Sequence, residues 1–254
     1  MTAGEYTRAM DLSGRVVAIT GASRGVGAGI AQTFFEGGAR LALCARGKAA
    51  VAASDRVLCA RVDVTDEAAV DGFAAAAFDR FGHVDLWVNN AGMLEPIAPL
   101  REVAVERWRE HIDINVTGVF LGTRAYVRHV RASGKGGVLV NISSGAARSG
   151  YAGWSAYCAG KAAVDLLTEA VQLEEADAGL RAYAVAPGVI DTAMQELIRG
   201  ADEAAFPLVE KFRAMKRDDT FSTPGFVAAR LAELAFDPAH RPDTVRVRFP
   251  PEKS

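Results

Sequence analysis

Residues 16–35 confine this chain to a narrow set of folds. Val16-Val17-Ala18-Ile19-Thr20 is a short apolar, β-branched run bounded by Gly14 and Gly21, and reads as a strand buried on both faces. TGASRGVG follows at once, then AGIAQTFFEGG, with Ile30, Phe34 and Phe35 at helical spacing. Strand, glycine turn and helix in succession is the setting in which a backbone cradles phosphate. Glycines there let the chain turn tightly and approach a pyrophosphate, while the helix N-terminus offers free N–H donors. The spacing Gly21-x-x-x-Gly25-x-Gly27 differs from the G-x-G-x-x-G fingerprint, and glycine-rich turns also arise for packing alone. Placed directly behind the first strand, it reads as a dinucleotide site.

The same alternation continues along the chain. Arg40 to Ala45 is a second strand and Arg56 to Val62 a third, with so short a segment between them (Gly47 to Asp55) that only a turn is expected there. Asp63-Val64-Thr65-Asp66 opens a helix through Phe81, with Thr65 or Asp66 as N-cap. Leu86-Trp87-Val88 is the fourth strand and runs into Asn89-Asn90-Ala91-Gly92. Val103 to Arg131 reads as one long helical stretch, with Asn115 and Gly118 in its middle. Gly136 to Ile142 is the fifth strand, and Arg181 to Ala186 the sixth, broken by Pro187-Gly188. Asp191 to Arg217 is amphipathic and mostly polar, and predicts short helices rather than a core element. Thr223-Pro224 starts a helix to Phe236, and Thr244 to Phe249 is a last short strand. The pattern predicts a single doubly wound α/β domain over residues 1–254, with a parallel seven-stranded sheet, helices on both faces, and residues 1–11 a loose extension.

Composition narrows the function. Half of the 254 residues are hydrophobic and 24% charged, ordinary for a soluble globular enzyme with a sizeable core. A net charge of −2 gives no electrostatic reason to expect nucleic acid or an acidic membrane as partner. The first residues lack a basic-then-apolar leader, and no apolar run approaches the ~20 residues of a membrane span. Cys44, Cys59 and Cys158 form no C-x-x-C and predict no disulfide framework. Four scattered histidines predict no metal site, and the expected compartment is the cytosol.

The chemistry lies in Ser143 to Lys161. Tyr157 and Lys161 stand four apart on an expected helix and so share a face. A phenol titrates near ~10, too high for efficient proton trading near neutrality. A neighbouring ammonium is expected to lower that value and make Tyr157 a general acid. Ser144, thirteen residues upstream across a glycine-rich loop, can hold the substrate oxygen that the tyrosine protonates. Tyr-x-x-x-Lys is also an ordinary helix-surface pair. What favours chemistry is convergence, because TGASRGVG, Arg46, Asp63, NNAG, Ser144 and Pro187-Gly188 all fall at carboxyl ends of strands, where such folds bind ligands.

No carboxylate occurs from Gly37 to Ser54, where an acid would meet the free ribose hydroxyl of NAD. Arg46, just past the second strand, and Arg24, inside the glycine turn, suit a 2′-phosphate instead, which favours NADP; a solvated surface arginine is the plainer alternative. Asp63 can accept from the adenine amino group or serve as a turn carboxylate.

Together TGASRGVG, NNAG, Asn115, Ser144, YCAGK and APG resemble the short-chain dehydrogenase/reductase family over roughly Leu12 to Phe249. The resemblance implies a Rossmann-type fold with Tyr157 as acid/base. Lys161 would lower its pKa and bind the nicotinamide ribose, and Ser144 would orient the carbonyl. Asn115 would hold a water that relays protons to Lys161. The phosphate turn would comprise Gly21, Ser23, Arg24, Gly25, Val26 and Gly27, with Arg46 on the 2′-phosphate and Asp63 and Val64 near the adenine. Asn90, Ala91 and Gly92 would line the adenosine, and Pro187, Gly188, Val189, Ile190 and Thr192 would cover the nicotinamide. GWSAYCAGKAAVDLL, Leu173-Glu174-Glu175 and APGVIDTAMQ look like the sepiapterin reductase and benzil reductase branch, which implies NADPH and a small-molecule carbonyl substrate. The C-terminal TVRVRFPPEKS lacks the aspartate that anchors a pterin, which speaks against sepiapterin itself. A homodimer or homotetramer is expected.

Trp154 and Met194 border the expected substrate space and serve either to shape it or as core packing. Cys158 is either a redox-sensitive thiol or a buried structural one, the second being expected. The leading reading is an NADPH-dependent ketone or diketone reductase; the rivals are a 3-oxoacyl thioester or steroid reductase and an idle dinucleotide-binding sensor. Loss of the tyrosine or lysine would mark a sensor, and this chain keeps both.

Overall fold

The computed structural model describes residues 11–252, so the expected loose extension falls almost wholly outside it. Seven strands form one parallel sheet in the order β3-β2-β1-β4-β5-β6-β7. They are β1 (Val16–Thr20), β2 (Arg40–Ala45), β3 (Val57–Arg61), β4 (Leu86–Asn89), β5 (Gly137–Ile142), β6 (Leu180–Ala186) and β7 (Arg246–Arg248). The third and last strands are shorter than Arg56–Val62 and Thr244–Phe249, because ladder pairing stops before the apolar pattern does. The strand order reverses between β1 and β4, and folds of this kind bind ligands beyond the carboxyl ends at such a point.

Alternate residues of each strand feed opposite cores. Val17, Ile19, Leu41, Leu43, Leu86 and Val88 pack under α1 (Gly25–Glu36) and α8 (Pro224–Phe236). Val16, Ala18, Ala42, Trp87 and Leu139 pack under α2 (Glu67–Phe81), α4 (Gly118–Ser133) and α5 (Ser155–Glu175). That two-sided burial is why the strands read as continuous apolar runs. Asp66, not Thr65, caps α2, accepting from the Ala69 amide at 3.0 Å. No helix forms between β2 and β3, as the short segment requires.

Two expectations need correction. The stretch from Val103 to Arg131 is not one helix but α3 (Val105–Ile112), a π-helical turn at Asp113–Thr117, and α4. The wider turn carries Asn115, which is fully buried. Second, Asp191 to Arg217 does form short helices, α6 (Ala193–Arg199) and α7 (Val209–Arg217), yet it is a core element. Ile198, Phe206, Val209 and Phe212 are buried with Leu94, Trp154 and Tyr157 in a third apolar cluster. Its many charges occupy the outer face and mask that stripe.

A buried polar network ties the sheet to α4 and α5. Trp87 Nε1 donates to Asn89 Oδ1 at 2.9 Å, and Asn89 Nδ2 donates to Asn141 Oδ1 at 2.9 Å. Asn141 Nδ2 in turn donates to Thr168 Oγ1 at 2.9 Å. Every member is paired, which makes the network sensitive to loss of any one. Asn141→Ala takes one partner each from the Asn89 amide, which keeps Thr123, and the Thr168 hydroxyl, which keeps the Val164 carbonyl, and should lower stability by about 1–3 kcal/mol. Urea unfolding checks this, with the midpoint falling while the denaturant slope stays constant.

Candidate active site

The glycine turn and the NNAG loop form one body at the end of β1. Thr20 Oγ1 accepts from the amides of Asn90 (3.0 Å) and Ala91 (3.1 Å), and Asn90 Nδ2 donates to the carbonyls of Thr20 (2.9 Å) and Gly21 (3.2 Å). A Cβ on Gly27 would lie 2.3 Å from Asn90 Nδ2, and one on Gly21, at φ +69°, would lie 2.7 Å from Ala91 Cα. Only glycine fits at either position. Arg24 precedes α1 without capping it, so with Ser23, Gly25 and Val26 the turn leaves the first N–H groups of α1 uncapped by side chains.

Pro187 to Thr192 crosses from β6 towards that turn. Ile190 bridges to Ser222, whose amide donates to Val189 O at 2.9 Å, and Gly188 sits at φ +92°. The Thr192 methyl lies 3.6 Å from where a Gly25 Cβ would stand. The expected nicotinamide cover therefore reaches the expected pyrophosphate turn.

An open cavity of about 560 Å³ lies beyond β2, lined by Arg46, Lys48 and Arg61 together with Gly47, alanines, Val51 and Cys59. Among the described residues, no carboxylate lines it. Arg24 is not among its walls, whereas Arg61 is a cation that the sequence reading missed. Its signal is register: Arg61 stands opposite Ala45, beside the base of Arg46. Asp63 accepts from the Thr65 amide (3.1 Å) and hydroxyl (2.9 Å), the bond set of a turn carboxylate, and Val64 packs where a Gly118 Cβ would be.

Tyr157 and Lys161 lie one turn apart on the buried face of α5, only 8% and 6% exposed. Lys161 Nζ donates to the Ile142 carbonyl at 2.8 Å and stands 5.7 Å from the centre of the Tyr157 ring. Ser144 caps a short 3₁₀ turn, accepting from the Ala146 amide at 3.2 Å, and is hydrogen-bonded to the Tyr157 phenol. Burial pushes the phenol above its ordinary value; the Ser144 bond opposes this and Cys158 adds to it. That is the reverse of the expected lowering. The ammonium is itself desolvated, which brings Lys161 down to about 8 against the pull of Asp165, and its Nζ is committed to Ile142.

Asn115 is fixed by its side chain. Its Nδ2 donates to Met93 O (2.9 Å) and His111 Nε2 (2.9 Å), and its Oδ1 accepts from the Met93 amide (3.1 Å). His111 Nδ1 faces the Glu95 carbonyl at 2.7 Å and so carries the proton, leaving Nε2 as acceptor. The amide thus anchors the loop after NNAG. Trp154 is a core residue, stacked on Phe206 with ring centroids 4.4 Å apart and T-shaped to Tyr157 with centroids 5.6 Å apart. Met194 packs half-buried on the same cluster. Cys158 is half-buried rather than buried, its thiol on the Ser149 carbonyl at 3.6 Å. Among the described residues, no group of three or more His, Cys, Asp or Glu can hold a metal ion, and no helix is long and apolar enough to cross a membrane.

A family model described as short chain dehydrogenase matches residues 15–203, a span that holds every side chain just placed around Tyr157 except Phe206. The chain belongs to that family. A cis-4-hydroxycyclohexanecarboxylate dehydrogenase of Sinomonas cyclohexanicum is 42% identical over 232 residues, 89% of this chain and 90% of the relative. An (S)-benzoin-forming benzil reductase of Bacillus subtilis is 32% identical over 223 residues, 85% and 91% of the two chains. Among solved structures, a 3-ketoacyl-(acyl-carrier-protein) reductase of Brucella melitensis in complex with NADH matches with a TM-score of 0.79 at 32% identity, covering 93% of this chain and 97% of that one. This short-chain dehydrogenase is accordingly an oxidoreductase of alcohols and ketones that uses a nicotinamide dinucleotide.

The two shifted groups set a pH dependence. Tyr157 stays protonated well past neutrality, whereas Lys161 loses its charge as pH rises through about 8. Carbonyl-reducing kcat of this short-chain dehydrogenase should therefore be level near neutrality and fall through about 8. A basic limb that starts only above about 10 in the pH–rate profile would assign it to the phenol instead.

Proposed function

We propose that this enzyme reduces a compact, apolar ketone or diketone to an alcohol with NADPH, Tyr157 donating the proton. The observation that carries the cofactor choice is the cavity walled by Arg46, Lys48 and Arg61 without a carboxylate. Three cations suit a 2′-phosphate, and an NAD ribose would find no acid to accept its hydroxyl. NADPH, when bound, supplies the hydride. The glycine turn would hold its pyrophosphate, Asp63 and Val64 its adenine, Asn90 to Gly92 its adenosine side, and Pro187 to Thr192 its nicotinamide, with Lys161 on the ribose. Ser144 and Tyr157 would hold the carbonyl oxygen between them, and Tyr157 would pass its proton to the developing alkoxide.

The substrate reading rests on the aromatic compartment beside Tyr157. Leu94, Trp154, Ile198, Phe206 and Phe212 form one buried apolar cluster with Tyr157, and Trp154 meets its ring directly. Several cations of this segment are paired: Arg199 with Asp191 at 3.0 Å, Lys216 with the same carboxylate, and Arg217 with Glu210 at 2.9 Å. A phosphate-bearing acyl carrier gains little there, whereas a compact dicarbonyl has an electron-poor carbon and an apolar seat. Likeness to the benzil reductase supports this choice. On the same reading the enzyme works in the cytosol as a homodimer or homotetramer, whose contact would cover the exposed Phe120, Leu166 and Leu173 of α4 and α5.

Two measurements test the reading. kcat/KM should favour NADPH over NADH at least about tenfold, worth about 1.4 kcal/mol of transition-state binding, and Arg46→Ala should shrink that ratio. Equal use of both cofactors by the unmutated enzyme sinks the assignment. For the substrate, benzil or diacetyl should outperform an acetoacetyl thioester and sepiapterin in kcat/KM. A clear win by either competitor refutes the diketone assignment.

A further inference from the structure

Three consecutive residues stitch the end of β5 to α5. The Ile142 carbonyl accepts from Lys161 Nζ at 2.8 Å, the Ser143 hydroxyl donates to Asp165 Oδ1, and Ser144 is bonded to Tyr157. Two of these pairs belong to the chemistry above, and the middle one has so far no part in it. Asp165 and Ser143 are each only 4% exposed. A carboxylate on the buried face of a helix is costly unless charges and hydrogen bonds compensate it. The compensation comes from Ser143 and from Arg246 of β7, whose Nε lies 3.9 Å from Asp165 Oδ2. Arg246 is shared with Glu169, at 2.6 Å. Asp165 also stands one helical turn beyond Lys161, on the same face.

We propose that Asp165 is a positioning residue for the reaction: its carboxylate holds Ser143, and with it the adjacent Ser144, in register with Tyr157, and it supplies the buried counter-charge that keeps Lys161 an ammonium. This rests on the assignment of Tyr157 and Lys161 to the reaction. The ionisable groups that face this pair are Tyr157 and Glu169 on α5, His111 on α3 and Arg246 on β7. Burial holds His111 below its ordinary value, Glu169 is paired with Arg246 at 2.6 Å, and Asp165 is the anion that raises Lys161. Take the carboxylate away, and the ammonium keeps its desolvation cost with only the Ile142 carbonyl opposite it.

The test uses the full chain with ¹³C-labelled lysine, following the Lys161 Cε resonance, assigned by its loss in Lys161→Met. Its titration midpoint should fall near 8 in the unmutated protein. In Asp165→Asn the midpoint should drop by about one pH unit or more, and the basic limb of kcat should drop with it, roughly a fivefold or greater loss at pH 8. Asp165→Glu should restore the midpoint while kcat stays below the unmutated value, since the longer side chain displaces Ser143. Ser143→Ala should lower kcat with the midpoint unmoved. Arg246→Met, at the sheet edge, should raise the midpoint by freeing Asp165 from its second partner, and it reads the coupling even if Asp165→Asn does not fold. An unmoved midpoint in Asp165→Asn, or in Arg246→Met where the former is unfolded, overturns the counter-charge. An unchanged kcat in Ser143→Ala overturns the positioning. Because the resonance titrates without substrate, absence of all carbonyl turnover would refute the reductase assignment and leave the Asp165 result to stand or fall alone.

Discussion

The site depends on an ammonium kept where water does not reach. Lys161 gives up its hydration for one carbonyl, that of Ile142, and one nearby carboxylate, that of Asp165. A group so placed is poised near its own pKa, which is where a side chain can gain or lose charge with its surroundings. It also ties the catalytic helix to the sheet, because its partner is the last residue of β5. Tyr157, one turn earlier, inherits its position from that bond. The phenol stays protonated because it is buried and because the lysine charge is directed at the backbone rather than at the ring oxygen.

The cofactor side of the crevice is held by a different means. There the contacts are between backbones, and glycine makes them possible. Gly21 and Gly27 let Asn90 approach within hydrogen-bond distance of the first turn, so motifs some seventy residues apart form one surface. Asn115 plays the corresponding part on the other flank, anchoring Met93 through both ends of its amide. Amides at both flanks therefore set the shape of a loop that contributes no catalytic side chain of its own. The apolar α6–α7 segment closes the third side, seated on Trp154.

The sheet, its parallel sense and the place of the crevice were legible from the chain. Two-sided burial gives strands such as Val16–Thr20 and Leu86–Asn89 an unbroken apolar signature, and glycine or asparagine at their ends marks where ligands gather. Tyr157, Lys161 and Ser144 were legible through spacing and resemblance. Asp165 was visible as a third member of the series Tyr157, Lys161, Asp165, each four residues on, but an acid in such a series reads equally well as a solvated one. The π-helical turn at Asp113–Thr117 left no trace, because its residues suit an α-helix and only the tie of Asn115 to Met93 selects the wider turn.

By itself, then, the sequence determined the elements, their order and the residue types that meet at the crevice, since these follow from local periodicity and from backbone freedom. What only the tertiary structure decided is how those residues are charged and what they touch. Whether Tyr157 is raised or lowered depends on the balance of burial against its neighbours, and that balance is set by packing and by Ser144, brought from the end of β5. Arg61 joins Arg46 at one cavity only through strand register, and Ile198, Phe206 and Phe212 become core only once Trp154 lies beneath them. Electrostatic and packing energies depend on separation in space, which spacing along the chain does not contain.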